Sequence, residues 1–119
     1  MTRSGKHRPE RLAALIQESV AAAVATSLKD PRVGFVTVTG VTVSPDGGVA
    51  TVRVSVMGTE EEKARALEGL ESARGYLRSR LAESVKLRTI PELRFELDRG
   101  LEHAQRINQI LADLKRDES

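Results

Sequence analysis

Few residues in this sequence could carry acid–base, nucleophilic or metal chemistry, and their spacing does not suit it. The two histidines, His7 and His103, belong to no HxxxH or HExxH pattern that would place two ligands on one helix face. There is no cysteine to act as a nucleophile or a thiolate ligand. The sequence therefore predicts a protein that is not an enzyme and that uses no metal, no cofactor and no small-molecule substrate.

The acidic run Glu60–Glu62 and the glycine pair Gly47–Gly48 are the remaining candidates for ligand sites. Three adjacent helical residues point in different directions, whereas negative charge at a helix start is stabilised by the helix dipole. We interpret the acidic run as the start of a helix. The glycine pair lacks the spacing and the following lysine of a phosphate-binding loop, so nucleotide hydrolysis is not indicated.

A cluster of positive charge is the strongest chemical signal. Five cations fall within fifteen positions, namely Arg74, Arg78, Arg80, Lys86 and Arg88. Such groups neutralise nucleic-acid phosphates, which favours an RNA-binding face. The alternative is an ordinary solvated helix face, partly compensated by Glu83. Because Phe35, Tyr76 and Phe95 are the only aromatic residues, we expect phosphate and shape recognition rather than base stacking on a sheet.

Composition indicates one domain over residues 1–119, with residues 1–8 and 115–119 flexible. The net charge of +2 hides a segregation of charge, because acid concentrates between Glu60 and Glu71. Further basic residues stand near the amino terminus at Arg3, Lys6, Arg8 and Arg11. The apolar run Val20–Ala25 is too short for a signal peptide or a membrane span, and the lack of cysteine suits the cytoplasm.

The first half of the chain must supply a helix and a hairpin. Apolar steps of three and four predict a helix from Pro9 to Leu28, which Asp30-Pro31 ends. Phe35 to Val43 alternates as a strand whose phase slips, so we place a β-bulge at Gly40. Turn formers from Ser44 to Gly48 lead to a second strand with buried positions at Ala50, Val52, Val54 and Val56.

The second half predicts two helices, a strand and a last helix. Thr59 and Glu62 have the spacing of a capping box. One apolar stripe then runs through Ala66, Leu70, Ala73, Leu77 and Leu81. Gly75 interrupts it and predicts a kink. A short strand follows at Leu93, Phe95 and Leu97, and a closing helical stripe at Ile107, Ile110, Leu111 and Leu114. Since the stripe of the kinked helix must face the core, the heads of the five cations are expected in solvent.

The order of these elements, and several segments, resemble a known family. Helix, hairpin, two helices and strand follow the order of a type II KH domain, an α+β fold. The segments that are similar to the ribosome-binding factor A family are Asp30-Pro31-Arg32, FVTVTGVTVSPD from Phe35 to Asp46, Gly75 to Ala82, Leu87 to Leu93, Asp98 and Ile107-Asn108. No two glycines stand three apart, so the GxxG clamp of ordinary KH domains is missing, and Ala73-Arg74-Gly75 resembles this family's interhelical kink.

The resemblance implies a monomeric, non-catalytic factor whose partners are 16S rRNA and the 30S subunit. It would bind free or immature subunits, assist late rRNA processing near the 5′ end and support growth in the cold. Arg74, Arg78, Arg80, Lys86 and Arg88 are the residues we expect to contact rRNA phosphates. The alternative is a KH-like protein–protein interaction module without direct RNA binding, which would use the acidic second helix or the hairpin.

Overall fold

The computed structural model describes the backbone of residues 3–26 and 30–118 and the side chains of residues 10–26, 30–100 and 106–116. Its elements follow the predicted order. They are α1 (Arg3–Thr26), a 3-10 helix (Pro31–Val33), β1 (Val36–Val43), β2 (Val49–Val56), α2 (Glu60–Ser72), α3 (Arg74–Ser84), β3 (Glu92–Leu97) and α4 (Gly100–Glu118).

Helix α1 packs one stripe of residues against the sheet. Ile16, Val20, Ala23 and Val24 are buried, whereas Leu15 is half exposed because it lies one position off that stripe. The helix begins at Arg3 rather than at the predicted Pro9. The predicted end at Leu28 and the side chains of His7 and His103 lie outside the described residues. The backbone is helical over residues 3–8 and 115–118, and the flexibility predicted for residues 1–8 and 115–119 stays a prediction.

The predicted hairpin and its bulge are confirmed. β1 and β2 pair antiparallel, and the register shifts between Val38, opposite Val54, and Gly40, opposite Arg53. Thr39 is therefore the extra residue, one position before the predicted Gly40. The shift brings the valines before and after it onto the same face, so that all of them meet the buried face of β2. In the turn, Asp46 accepts the amide of Gly48, and Gly47 takes a positive φ of 74°.

The connection from β2 to β3 places two helices on the core side of the sheet. β3 pairs parallel to β2 in the order β1-β2-β3, with Leu93 opposite Ala50. A parallel partner requires a crossover, which α2 and α3 provide. Their stripe is buried at Ala66, Leu70, Leu77 and Leu81. The architecture is α+β and KH-like, as predicted.

The capping box at the start of α2 is also confirmed. The Glu62 amide donates to the Thr59 hydroxyl at 3.1 Å, and the Thr59 amide donates to the Glu62 carboxylate at 3.2 Å. These two bonds satisfy amides that have no partner inside the helix. The acidic run thus belongs to a helix start, as predicted.

Helix α4 differs from the others because the described part of its apolar stripe, residues 106–116, is exposed. Ile107, Ile110, Leu111 and Leu114 are each 43–58% exposed. Two sets of polar contacts hold the start of α4. Asp98 accepts the Thr39 hydroxyl at 2.7 Å and the Gly100 amide at 2.9 Å, and Arg99 donates to Glu60 at 2.7 and 2.8 Å.

Candidate nucleic-acid interface

The break between α2 and α3 sets the direction of the cationic helix. Ser72 ends α2 and Arg74 begins α3, while Ala73 between them has φ −91° and ψ 2°. This bridge conformation turns the chain without a left-handed residue. Gly75, where the kink was predicted, lies inside α3 and does not have a positive φ. The break falls at Ala73, the first residue of the predicted Ala73-Arg74-Gly75 kink, because Ala73 alone leaves the helical conformation.

Arg74 begins α3 as the centre of an ion-pair group. Its guanidinium lies 3.3 Å from the carboxylate of Glu71 and 3.8 Å from that of Glu92. All three side chains are about half exposed, at 43–55%. The charge of Arg74 is therefore shared with two acids, which weakens its attraction for an added phosphate.

The expectation that the charged groups of all five cations lie free in solvent is wrong for Arg78. Its side chain donates to the backbone carbonyls of Ile90, at 2.8 Å, and Pro91, at 3.3 Å. These carbonyls precede β3, in a segment without regular secondary structure that could pair them. Arg78 therefore ties α3 to the start of β3, although the residue remains exposed. Residue spacing gave no sign of this, since the bonds join positions twelve and thirteen apart.

Arg80 lies further along α3, at the border with α1. It donates to Glu83 at 3.2 Å, an i,i+3 pair on the exposed face. Beside it the helices approach closely, with the hydroxyl oxygens of Ser19 and Ser84 2.5 Å apart. A shallow groove of about 280 Å³ follows this border. Its walls mix acid and base, so only Arg80 itself favours an anion there.

Lys86 and Arg88 are the two of these five cations that have no competing partner among the described residues. Both are exposed in the segment that leaves α3, and neither has a hydrogen bond or a salt bridge with any side chain or backbone group that is described. We define the exit surface as Arg80, Lys86 and Arg88. The long side chains of Lys86 and Arg88 can reach phosphates without breaking a contact of the fold, whereas Arg80 would share its charge with Glu83.

Tyr76 is an exposed aromatic residue on the cationic helix that the site prediction left out. It is 46% exposed on α3 and stands four residues before Arg80, which places the two on neighbouring turns of one helix face. The sequence signal for Tyr76 is that this aromatic residue lies off the buried stripe of Leu77 and Leu81.

Perturbed carboxylates lie away from the exit surface. Hydrogen bonds from Thr39 and the Gly100 amide lower the pKa of Asp98, and those from Arg32 lower the pKa of Asp30. The pKa of Asp46 is lowered by the Ser44 hydroxyl and that of Glu60 by Arg99. Each anion accepts bonds that hold a turn or a helix end, which is a structural arrangement.

No cluster of metal-ligating side chains occurs among the residues the structure describes. Over the same part of the chain, no helix has the length and hydropathy needed to cross a membrane.

Comparison with known proteins gives consistent matches. The family model described as "Ribosome-binding factor A" matches residues 8–111. The ribosome-binding factor A of Desulforamulus reducens is 43% identical over 113 residues, which is 95% of this chain and 94% of the relative. The crystal structure of ribosome-binding factor A from Thermus thermophilus aligns with a TM-score of 0.70 and 34% identity, over 77% of this chain and 97% of that one.

A second matching structure also comes from Thermus thermophilus. It is a homology model of the ribosome-binding factor A from that organism, fitted into the cryo-EM map of a 30S complex. It aligns with a TM-score of 0.61 and 35% identity, covering 72% of this chain and 90% of that chain.

Proposed function

Because this chain belongs to the ribosome-binding factor A family, we propose that it binds free or immature 30S subunits and assists late processing of 16S rRNA near its 5′ end. It does so as a monomer in the cytoplasm and catalyses no reaction itself. We also propose that it supports growth in the cold, because misfolded RNA refolds more slowly at low temperature.

One observation carries the assignment of the RNA contact to the exit surface. Lys86 and Arg88 are exposed and have no partner among the described residues, so their charges are available to phosphates. Arg80 adds a third charge at the same end of α3. Arg74 and Arg78 contribute to the field of this surface while remaining tied to Glu71, Glu92 and the carbonyls before β3. The Thermus thermophilus relative fitted into a 30S map supports the choice of partner.

Salt dependence tests whether the binding is electrostatic. If roughly four phosphates are neutralised, the logarithm of the affinity for purified 30S subunits should fall with the logarithm of salt at a slope of about −3 to −4. Sedimentation with subunits at several salt concentrations measures it. A flat response would favour the alternative of a protein–protein module without direct RNA contact.

Charge reversal locates the surface. The double variant Lys86→Glu with Arg88→Glu should keep its fold, because exposed side chains without partners contribute within about 0.5 kcal/mol. It should lose most subunit binding, since attraction is replaced by repulsion. The matched control is Arg106→Glu with Lys115→Glu, which makes the same change of net charge on α4. Equal losses in both variants would mean that net charge alone matters, and the assignment to the exit surface would be wrong.

A further inference from the structure

Tyr76 on α3 is an aromatic residue that the fold itself does not use. Its side chain is about half exposed, and no hydrogen bond or ring contact joins it to any other described residue. The buried residues of α3 are Leu77 and Leu81, so the ring adds nothing to the described core. A single exposed aromatic residue is ordinary in a protein, and its surroundings decide whether it can bind a ligand.

Space remains beside the ring of Tyr76. On a helix the nearest later neighbours of position 76 are Ser79 and Arg80, three and four residues on. Ser79 is small and exposed. Gly75, directly before Tyr76, has no side chain, and a Cβ built there meets no atom within 4 Å. A flat group can therefore approach the ring without displacing a described side chain.

Cations follow Tyr76 along α3 and beyond its end. Arg80 stands one turn later on the same face, although Glu83 offsets its charge. At a rise of about 1.5 Å per residue, α3 ends about 12 Å beyond Tyr76, and Lys86 and Arg88 follow there. A nucleic-acid strand that continues from the exit surface along α3 would bring a base to the ring.

The chemistry of an aromatic ring next to phosphate-binding cations favours an unpaired nucleotide. An unpaired base offers its π face to the ring, whereas the bases of a duplex stack on one another and present only their edges. Cations along the backbone with aromatic side chains under the bases are the usual arrangement of surfaces that bind single strands. Tyr76 and the exit surface together have both parts.

The other strongly exposed aromatic residue, Phe35, has different surroundings. It lines a groove with Met57, and each of the two is 75% exposed. The charged residues that line this groove are Arg32, Arg65 and Glu62. Both arginines lie within 4.0 Å of a carboxylate. The lining therefore holds no cation as available as Lys86 or Arg88, and Tyr76 is the better candidate for a contact with RNA.

We propose that Tyr76 stacks on an unpaired base of the rRNA whose phosphates the exit surface binds. The inference rests on the proposed function and deepens it, because it states the form of the RNA at that surface. The segment bound there is single-stranded next to Tyr76. The protein then distinguishes an open rRNA segment from a paired one by this stacking contact, which backbone charge alone cannot do.

Tyrosine fluorescence tests the stacking directly. Tyr76 is the only tyrosine and the chain contains no tryptophan, so the emission comes from this ring alone. We expect a short unpaired RNA of mixed sequence to quench the emission at saturation. The same RNA annealed to its complement, and an abasic strand of equal length, should bind through their phosphates without quenching.

Binding of each RNA is measured separately by the anisotropy of a label on the RNA, and a free tyrosine derivative corrects for light absorbed by the bases. Equal quenching by the bound duplex or by the bound abasic strand would overturn the proposal. So would unchanged emission when the unpaired RNA is bound.

Substitution tests whether the ring contributes to binding of the subunit. Tyr76→Leu keeps a large apolar side chain but removes the ring, and should weaken binding to 30S subunits about tenfold, as expected for one stacked base. The salt slope should not change, since stacking releases no counterions. Tyr76→Phe keeps the ring and should retain most of the affinity. The matched control is Ile110→Ala, at an exposed apolar position of α4, and circular dichroism confirms that all variants are folded.

The possible failures can be told apart. Unchanged affinity of Tyr76→Leu, or an equal loss in Tyr76→Phe, overturns the stacking proposal while the result for Lys86 and Arg88 stands. A loss on subunits without a loss on protein-free rRNA would mean that the ring contacts a protein, which also overturns it. If the unmodified protein does not bind subunits at all, the proposed function fails, and the inference that rests on it fails as well.

Discussion

At the scale of single residues, the five cations of the interface have different roles although they look alike in the sequence. Lys86 and Arg88 have no partner among the described side chains and backbone groups. Arg78 donates to two backbone carbonyls, and Arg74 contacts two carboxylates. Charge clustering predicted the surface as a whole. It could not separate cations that are available to a ligand from those that hold the fold, because the carbonyls of Ile90 and Pro91 and the carboxylate of Glu92 come close to α3 only in the folded chain.

The first residue-scale prediction concerns Arg78. Arg78→Met keeps the aliphatic part of the side chain but leaves the carbonyls of Ile90 and Pro91 without their donor. We expect the free energy of unfolding to fall by about 1–2 kcal/mol. Chemical denaturation measures it, with Arg88→Met as the control that should stay within about 0.5 kcal/mol of the unmodified protein. Equal stability of the two variants would show that the Arg78 bonds contribute nothing to folding.

The second residue-scale prediction concerns Gly75. It lies in α3 without a positive φ, and a Cβ added there meets no atom within 4 Å. Gly75→Ala should therefore raise the free energy of unfolding by about 0.5–1 kcal/mol, because alanine restricts the unfolded chain.

Gly69→Ala is the matched control, on the neighbouring helix. A Cβ at Gly69 would approach Val33 Cγ1 to 3.0 Å and Arg32 Cβ to 3.2 Å. This variant should lower the melting temperature, whereas Gly75→Ala should raise it by roughly 2–5 °C. A lower melting temperature for Gly75→Ala would mean that the position needs glycine for its conformation after all.

At the scale of elements, Asp98 joins three parts of the fold. It follows β3, accepts the hydroxyl of Thr39 in the β1 bulge and accepts the Gly100 amide at the start of α4. The Thr39 bond, the Gly100 bond and the charge of Arg53 lower the pKa of Asp98. A family motif pointed to the residue, but its partner on β1 lies 59 positions away and could not be predicted from spacing.

This lowered pKa predicts how stability depends on pH. A carboxylate whose pKa is lower in the folded state stabilises the fold above its unfolded pKa of about 4, and that contribution is lost as the pH falls through the folded value. Asp30, Asp46 and Glu60 act in the same direction. Melting temperature should therefore fall between about pH 5 and pH 3.

The variant Asp98→Asn tests how much of this pH dependence comes from the Asp98 carboxylate. The variant should melt at a lower temperature at pH 7 and show a flatter decline on acidification. Glu96→Gln, at an exposed position of β3, should keep the pH dependence of the unmodified protein. If the melting temperature of Asp98→Asn depended on pH as that of the unmodified protein does, Asp98 would not contribute to the loss of stability in acid.

At the scale of the whole molecule, the chain is flat and elongated. Its Cα radius of gyration is 17.5 Å and its extents are 60 × 42 × 19 Å. A compact domain of this length would have a radius of about 13.5 Å. Helix α4 contributes to this extension, because its stripe of Ile107, Ile110, Leu111 and Leu114 is exposed, whereas such a stripe is normally buried when a helix packs on its own domain.

Small-angle scattering checks this shape. We expect a radius of gyration near 17.5 Å that is independent of concentration, as for an extended monomer. A value close to about 13.5 Å would show that α4 folds back over the domain. A radius that rises with concentration would show instead that a second copy covers the stripe.

Much of this architecture could be predicted from local sequence patterns. The slip between Val38 and Val41 indicated the bulge, and Thr59 with Glu62 indicated the start of α2. The parallel β2–β3 pairing and the groove between Phe35 and Met57 depend on long-range register, which local periodicity does not encode. The break shows the same limit on a small scale, since the sequence indicated the segment Ala73-Arg74-Gly75 but not that Ala73 alone leaves the helix.

The bulge at Thr39 also affects whether copies of this chain can aggregate through their sheet edges. β1 is an edge strand of the described sheet, and an edge presents unpaired amides and carbonyls to any strand that passes. At Thr39 the regular repeat is interrupted and the strand twists more strongly, so a flat strand from another molecule cannot pair along its whole length. A chain lacking this one residue would offer a smoother edge and would turn Val36 and Val38 outward, making aggregation the main hazard of its folding.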